Sequence, residues 1–138
     1  MKLDQELVLS RCQEIADSLN RLAQIGNEPK ETFLQDQDLQ DIGCYRLLVA
    51  IEAALALCYH IAAKMLSKVP EDYAGCFSML GESEIISRDL SERLQKMARF
   101  RNLLVHMYWK IDYEAVYDII GDSVNDLRDF SCEVMTLV

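Results

Sequence analysis

Hydrophobic residues recur at helical spacing along most of this chain of 138 residues. In the first segment, intervals of three and four residues place five apolar side chains on one face of a helix. These side chains are Val8, Cys12, Ile15, Leu19 and Leu22. The pattern predicts a first helix that ends near the sequence GNEPK, where Pro29 prevents its continuation.

A second helix is predicted from about residue 36 to residue 68, just before Pro70. Beyond Tyr45 it is apolar on more than one face, which is typical of a helix buried from several sides. As a membrane span it would place Glu52, His60 and Lys64 in lipid. We therefore expect the central helix of a bundle, and no membrane association.

Two further helices complete the predicted fold. The third begins between residues 82 and 87, and the fourth follows Asp112, whose carboxylate is a good N-cap. Between the second and third helices, the stretch from residue 71 to 89 indicates a loop with one short helix. The expected fold is all-α, an antiparallel four-helix bundle in one domain of residues 1–138 with a short extra helix.

The five cysteines are interpreted as reduced thiols of a cytoplasmic protein. They show no CxxC spacing, their number is odd, and they lie mostly in apolar stretches. This pattern favours neither disulfides nor a zinc site, so no metal is expected. The charged N-terminal residues do not resemble a signal peptide, which agrees with a cytoplasmic location.

Positive charge is concentrated in one segment of an acidic protein. The net charge is −9, yet residues 88–110 carry six basic and two acidic side chains, a local charge of +4. The remainder therefore carries −13. The segment is either the solvated face of a helix or a binding surface for an anion, and charge alone leaves both alternatives open.

The same segment contains the sequence RNLLVHMY, residues 101–108. Asn102 and His106 are four residues apart and share a helical face, and the long Arg101 side chain can swing over it. An imidazole exchanges protons near neutral pH, and a guanidinium binds phosphate oxygens through two N–H groups. This set suits RNA cleavage without a metal, whereas the spacing by itself favours the ordinary structural end of a helix.

The motif has one histidine per chain, which supplies only one acid or base, although RNA cleavage needs both. A C2 dimer that joins two copies of the motif would supply the second group. The second helix, which is apolar on several faces, gives a reason for such a dimer to form.

The motif has the Arg-X4-His-X-Tyr form and resembles the HepT-like branch of HEPN domains. The likeness extends over LQDIGCYRLLVAIEAALALCYHIAAK, YAGCFSMLGESEIIS and ARFRNLLVHMYWKIDYEAVYDII, which is nearly the whole chain. It implies an all-α HEPN dimer that acts as a metal-independent endoribonuclease toxin and needs no cofactor. Arg101 and His106 would be the catalytic pair, and Asn102 the supporting polar residue.

The resemblance also implies a partner. Toxins of this type VII toxin–antitoxin branch are paired with an MNT-type nucleotidyltransferase antitoxin, which transfers AMP to the motif tyrosine, here Tyr108. In a continuing helix Tyr108 lies about 200° from His106, so the helix must end near Met107 for the tyrosine to act there. His60, Tyr113 and Tyr117 are expected to be structural. The alternative function is a HEPN binding module with weak or no catalysis.

Overall fold

The most apolar segment forms the central helix of the protein, described here by a computed structural model that covers residues 2–138. The helix begins after Asp36, whose carboxylate accepts a hydrogen bond from the Leu39 amide at 3.2 Å. It runs over Gln37–Ile61 and continues as one π-helical turn over Ala62–Leu66. Leu47, Ile51 and Leu57 are among its fully buried side chains.

Six α-helices follow one another within residues 2–138. They are α1 (Gln5–Gly26), α2 (Lys30–Gln35), α3 (Gln37–Ile61), α4 (Tyr73–Glu82), α5 (Arg88–His106) and α6 (Tyr113–Met135). Helices α1, α3, α5 and α6 form the four-helix bundle, and α4 is the extra helix predicted before the third bundle helix. The predicted all-α fold is confirmed, since residues 2–138 contain no strand. The six-residue helix α2 is an element that periodicity did not predict.

The segment Gln37–Leu66 is long and apolar enough to span a membrane by length and composition alone. In the structure 56% of its most apolar window is buried inside the protein, where α3 packs against α1 and α6. The central helix of a bundle can have the same apolar composition as a membrane-spanning helix, because it must be apolar toward several neighbouring helices. The prediction of a buried central helix is confirmed.

The prediction that all five cysteines are reduced thiols is wrong. The structure joins Cys58 of α3 to Cys76 of α4 in a disulfide, with 6.2 Å between their Cα atoms, so not all five thiols are reduced. No local motif predicts this pair, because its two residues are 18 apart in the sequence. Cys12, Cys44 and Cys132 are free, and burial raises the pKa of the Cys44 thiol to about 11.

Helix α5 is held on two sides, which positions its C-terminal end. Toward α6, Arg93 forms an ion pair with the largely buried Asp126, whose pKa is raised because burial outweighs the opposing effect of the guanidinium. Toward α4, the Ser91 hydroxyl donates to the Phe77 carbonyl at 2.8 Å. The two helices approach so closely that a Cβ atom on Gly81 would lie 2.5 Å from Ser91.

Two glycine substitutions test this close approach. Gly81→Ala adds a methyl group against the Ser91 Cβ and Oγ atoms, so we expect a loss of about 1–3 kcal/mol in the free energy of unfolding. Gly121→Ala is the matched control on α6, because nothing lies within 4 Å of its added Cβ atom. Alanine favours helix, so this variant should gain about 0.5–1 kcal/mol. Urea unfolding measures both, and equal stabilities would contradict the packing.

Candidate active site

The motif lies where α5 ends. His106 is the last residue of the helix, Met107 leaves helical geometry at φ −122° and ψ 37°, and a 3₁₀ turn covers Tyr108–Lys110. Helix α6 then begins after Asp112, whose carboxylate accepts from the Glu114 and Ala115 amides at 3.1 and 3.3 Å. The predicted cap is confirmed, and the chain leaves the helical path between the histidine and the tyrosine.

Arg101 is enclosed by groups from three helices. Its Nε donates to the Glu52 carboxylate on α3 at 2.5 Å, and its Nη1 donates to Asn102 Oδ1 at 3.2 Å. The ring of Tyr73, the first residue of α4, lies 4.7 Å from the guanidinium carbon. Only 14% of the arginine side chain is exposed. The guanidinium is therefore held in one orientation.

Asn102 and His106 differ in their surroundings. Asn102 is half-buried and contacts Arg101, whereas His106 is exposed on the last turn of α5. Within residues 2–138 no hydrogen bond joins the His106 imidazole to another residue, and the residue is exposed. The structure thus joins Arg101 to Asn102 directly and leaves His106 open one turn beyond them.

The 3₁₀ turn after His106 presents two aromatic side chains to solvent. Tyr108 is 71% exposed and Trp109 is 67% exposed, and their rings meet edge to face at 5.4 Å. The phenol hydroxyl is therefore accessible to a second protein. A mainly apolar groove of about 260 Å³ lies beside this turn, between the end of α5 and the start of α6. Leu104, Met107 and Ile111 are among its lining residues.

The six basic residues of the segment 88–110 fall into two groups. Arg93 and Arg101 are engaged in ion pairs with α6 and α3. The other four are exposed and make no ion pair within residues 2–138. They are Arg88, Lys96, Arg99 and Lys110. The outward positive charge therefore comes from these four side chains.

Two residues of the site were not singled out from the sequence as parts of it. Glu52 and Tyr73 both contact the Arg101 guanidinium, although they are distant from it in sequence. Glu52 does carry a signal, because it is the lone carboxylate in the apolar run from Leu47 to Ile61. Tyr73 carries none, since its place beside Arg101 depends on how α4 packs.

The residues expected to be structural have structural contacts. His60 Nε2 accepts a hydrogen bond from the Asp4 amide at 2.9 Å. The Tyr117 hydroxyl donates to the Glu28 carbonyl at 2.6 Å, and the Tyr113 and Tyr117 rings pack against Phe33. None of these groups belongs to the motif.

The family model described as ribonuclease HepT-like matches residues 8–134. The chain belongs to this family. The HepT-like chain is 25% identical to the mRNA nuclease HepT of Shewanella oneidensis over 125 aligned residues. The alignment covers 91% of this chain and 93% of the relative.

Solved structures share the fold. The tri-AMPylated Shewanella oneidensis HEPN toxin, in complex with its MNT antitoxin, superposes on the HepT-like chain with a TM-score of 0.85. The two are 24% identical, and the match covers 94% of this chain and 97% of the toxin. A cytosolic protein of unknown function from Bacillus subtilis, YutE, matches with a TM-score of 0.81 at 17% identity over 99% of this chain and 92% of that one. These likenesses show that the three chains share one fold.

Proposed function

We propose that this protein is a metal-independent endoribonuclease toxin of a type VII toxin–antitoxin system. The observation that carries the proposal is the arrangement at the end of α5. There an oriented Arg101 guanidinium and Asn102 lie about one turn before an exposed His106. Membership of the HepT-like ribonuclease family and the likeness to an mRNA nuclease support the same activity.

The reaction follows from the chemistry of these groups. A base removes the proton of the RNA 2′-hydroxyl, and the oxygen forms a bond to the adjacent phosphorus. The phosphorane decays as the bond from phosphorus to the 5′-oxygen breaks, and an acid protonates that oxygen. His106 supplies the proton transfer, because imidazole exchanges protons near neutral pH. Arg101 stabilises the added negative charge on the phosphorane oxygens through its N–H groups.

Base and acid together require two imidazoles, and each chain has one at this site. We therefore include a C2 homodimer in the proposal, with the two copies of His106 at one cleft. The chain around His106 favours association: within three residues of it, Leu103 is 61% exposed, Met107 is 38% exposed and Trp109 is 67% exposed. Exposed apolar side chains that cluster in this way are typical of an interface.

The outward charge of α5 supports RNA as the substrate. At 100° per residue, Arg88, Lys96, Arg99 and His106 fall within an arc of about 80° on the helix surface. Exposed Glu92 falls in the same arc, so the stripe that leads along α5 to the histidine holds three cations and one carboxylate, a net charge of +2. An RNA backbone could follow the stripe in spite of the net charge of −9, because short-range attraction depends on the local charge.

We also propose that an MNT-type nucleotidyltransferase antitoxin inhibits the nuclease by AMPylation of Tyr108. The phenol oxygen would attack the α-phosphorus of ATP and release pyrophosphate. Each added AMP brings a phosphodiester charge and its bulk close to the active site, where it competes for Arg101 and obstructs the phosphate position. The break at Met107 and the 71% exposure of Tyr108 support this role.

The remaining elements of the proposal are one HEPN-like domain over residues 1–138, and a cytoplasmic location, where mRNA is translated. The alternative is a binding module that partners the nucleotidyltransferase without cutting RNA. A module of that kind does not need an exposed histidine one turn beyond an oriented arginine. The presence of both therefore favours the nuclease.

Substitution of the motif histidine tests the proposed chemistry. His106→Ala removes the proton-transfer group, so RNA cleavage should fall by about 10²–10⁴-fold. His60→Gln is the matched control, because it changes the other histidine of the chain, whose Nε2 accepts a hydrogen bond from the Asp4 amide. Cleavage is followed on a labelled mRNA in excess EDTA. Full activity of His106→Ala, or loss of the parent's activity in EDTA, would contradict the proposal.

The modification site is tested by a pair of tyrosine variants. Tyr108→Phe removes the phenol oxygen and should abolish AMP transfer during co-expression with a cognate nucleotidyltransferase. Tyr45→Phe is the control, because Tyr45 is 61% exposed but lies on α3 outside the motif. Intact-mass spectrometry counts the attached AMP groups. Transfer to Tyr108→Phe at the parental level would assign the modification elsewhere.

A further inference from the structure

Glu52 is a charged residue in the most apolar helix of the protein. In the stretch from Leu47 to Ile61 it is the only carboxylate, and it crosses from α3 to α5 to accept from Arg101 Nε at 2.5 Å. Its side chain is 44% exposed, whereas that of Arg101 is 14% exposed. The arginine is thus enclosed while the carboxylate keeps contact with water.

The contacts of Arg101 leave one edge of the guanidinium free. Of its five N–H groups, the one on Nε goes to Glu52 and one on Nη1 goes to Asn102 Oδ1. The Tyr73 ring lies 4.7 Å from the guanidinium carbon. Three N–H groups remain, one on Nη1 and both on Nη2, and none donates to a residue of the described chain. They form the edge that binds an anion through two oxygens.

We propose that Glu52 is a positioning residue for the nuclease reaction, which holds the Arg101 guanidinium so that its free Nη edge faces the scissile phosphate. The inference rests on the proposed ribonuclease function and extends it to a residue outside the motif. Glu52 does not touch the substrate in this account. It acts on Arg101 by restricting rotation about the last side-chain bonds, so the phosphate meets an arginine that is already oriented.

The ion pair between Glu52 and Arg101 could instead inhibit phosphate binding. A carboxylate beside the guanidinium offsets part of its charge, and Glu52 could mask Arg101 until an RNA phosphate displaces it. The site of contact favours positioning, because Glu52 accepts from Nε and leaves the two-nitrogen edge open. A masking carboxylate would compete best by binding the same Nη edge as the phosphate.

A double-mutant cycle separates these roles. Glu52→Ala should lower kcat for RNA cleavage by about 10²-fold, because a misplaced catalytic group loses that much, while KM does not rise. Glu52→Gln keeps an acceptor for the Nε–H group and should stay within about tenfold of the parent. In the Arg101→Ala background, Glu52→Ala should change the rate by less than about twofold. Glu31→Ala, an exposed glutamate of α2, is the matched control and should cleave like the parent.

Several results would overturn the proposal. Faster or unchanged cleavage by Glu52→Ala would indicate masking or no role, and an equal loss in the Arg101→Ala background would show that Glu52 acts elsewhere. Parental cleavage by Arg101→Ala itself would instead refute the active-site assignment. Circular dichroism and thermal unfolding of each variant identify any loss that comes from misfolding.

A second measurement does not depend on nuclease activity. In ¹⁵N-arginine-labelled protein, the Arg101 Nε–H resonance, assigned by its loss in Arg101→Lys, should be protected from solvent exchange in the parent and in Glu52→Gln. It should lose this protection in Glu52→Ala. Protection that persists in Glu52→Ala would exclude Glu52 as the group that holds the guanidinium, whether or not the protein cleaves RNA.

Discussion

A helix that is apolar around most of its surface has to be covered on most of its surface, and α3 is such a helix. Its fully buried residues, including Leu47, Ile51 and Leu57, are the reason that α1 and α6 pack around it. This packing also brings α5 and α4 against its flank, where Glu52 meets Arg101 and Tyr73 contacts the guanidinium. The orientation of the arginine is therefore a consequence of how the core is built.

A second constraint is the end of α5. A helix that continued through Tyr108 would point the phenol away from His106. The break at Met107 gives the two motif residues different environments. His106 stays on the helix with Arg101 and Asn102, while Tyr108 lies on an exposed turn. In the proposed system, cutting and inhibition use neighbouring residues with separate geometries.

The hydrophobic pattern predicted most of the fold, because helical spacing reports directly which face is buried. It located α1, the central α3, the short α4 and the Asp112 cap, and it separated His60 and Tyr117 from the motif. The hydrophobic pattern did not predict contacts between helices. The Cys58–Cys76 disulfide and the contact between Glu52 and Arg101 join residues 18 and 49 positions apart, and no local pattern encodes such distances. The short helix α2 was not predicted either, since six residues are too few to show a helical periodicity.

The central claim is that an oriented arginine and a histidine cleave RNA through its own 2′-hydroxyl. The most direct test is the chemistry of the new RNA ends, determined on purified protein in EDTA with a substrate that carries a single cleavage position. The account predicts a 2′,3′-cyclic phosphate on one fragment and a 5′-hydroxyl on the other, and no cleavage when that position is 2′-deoxy. Fragments with a 3′-hydroxyl and a 5′-phosphate, or cleavage of the 2′-deoxy substrate, would contradict it.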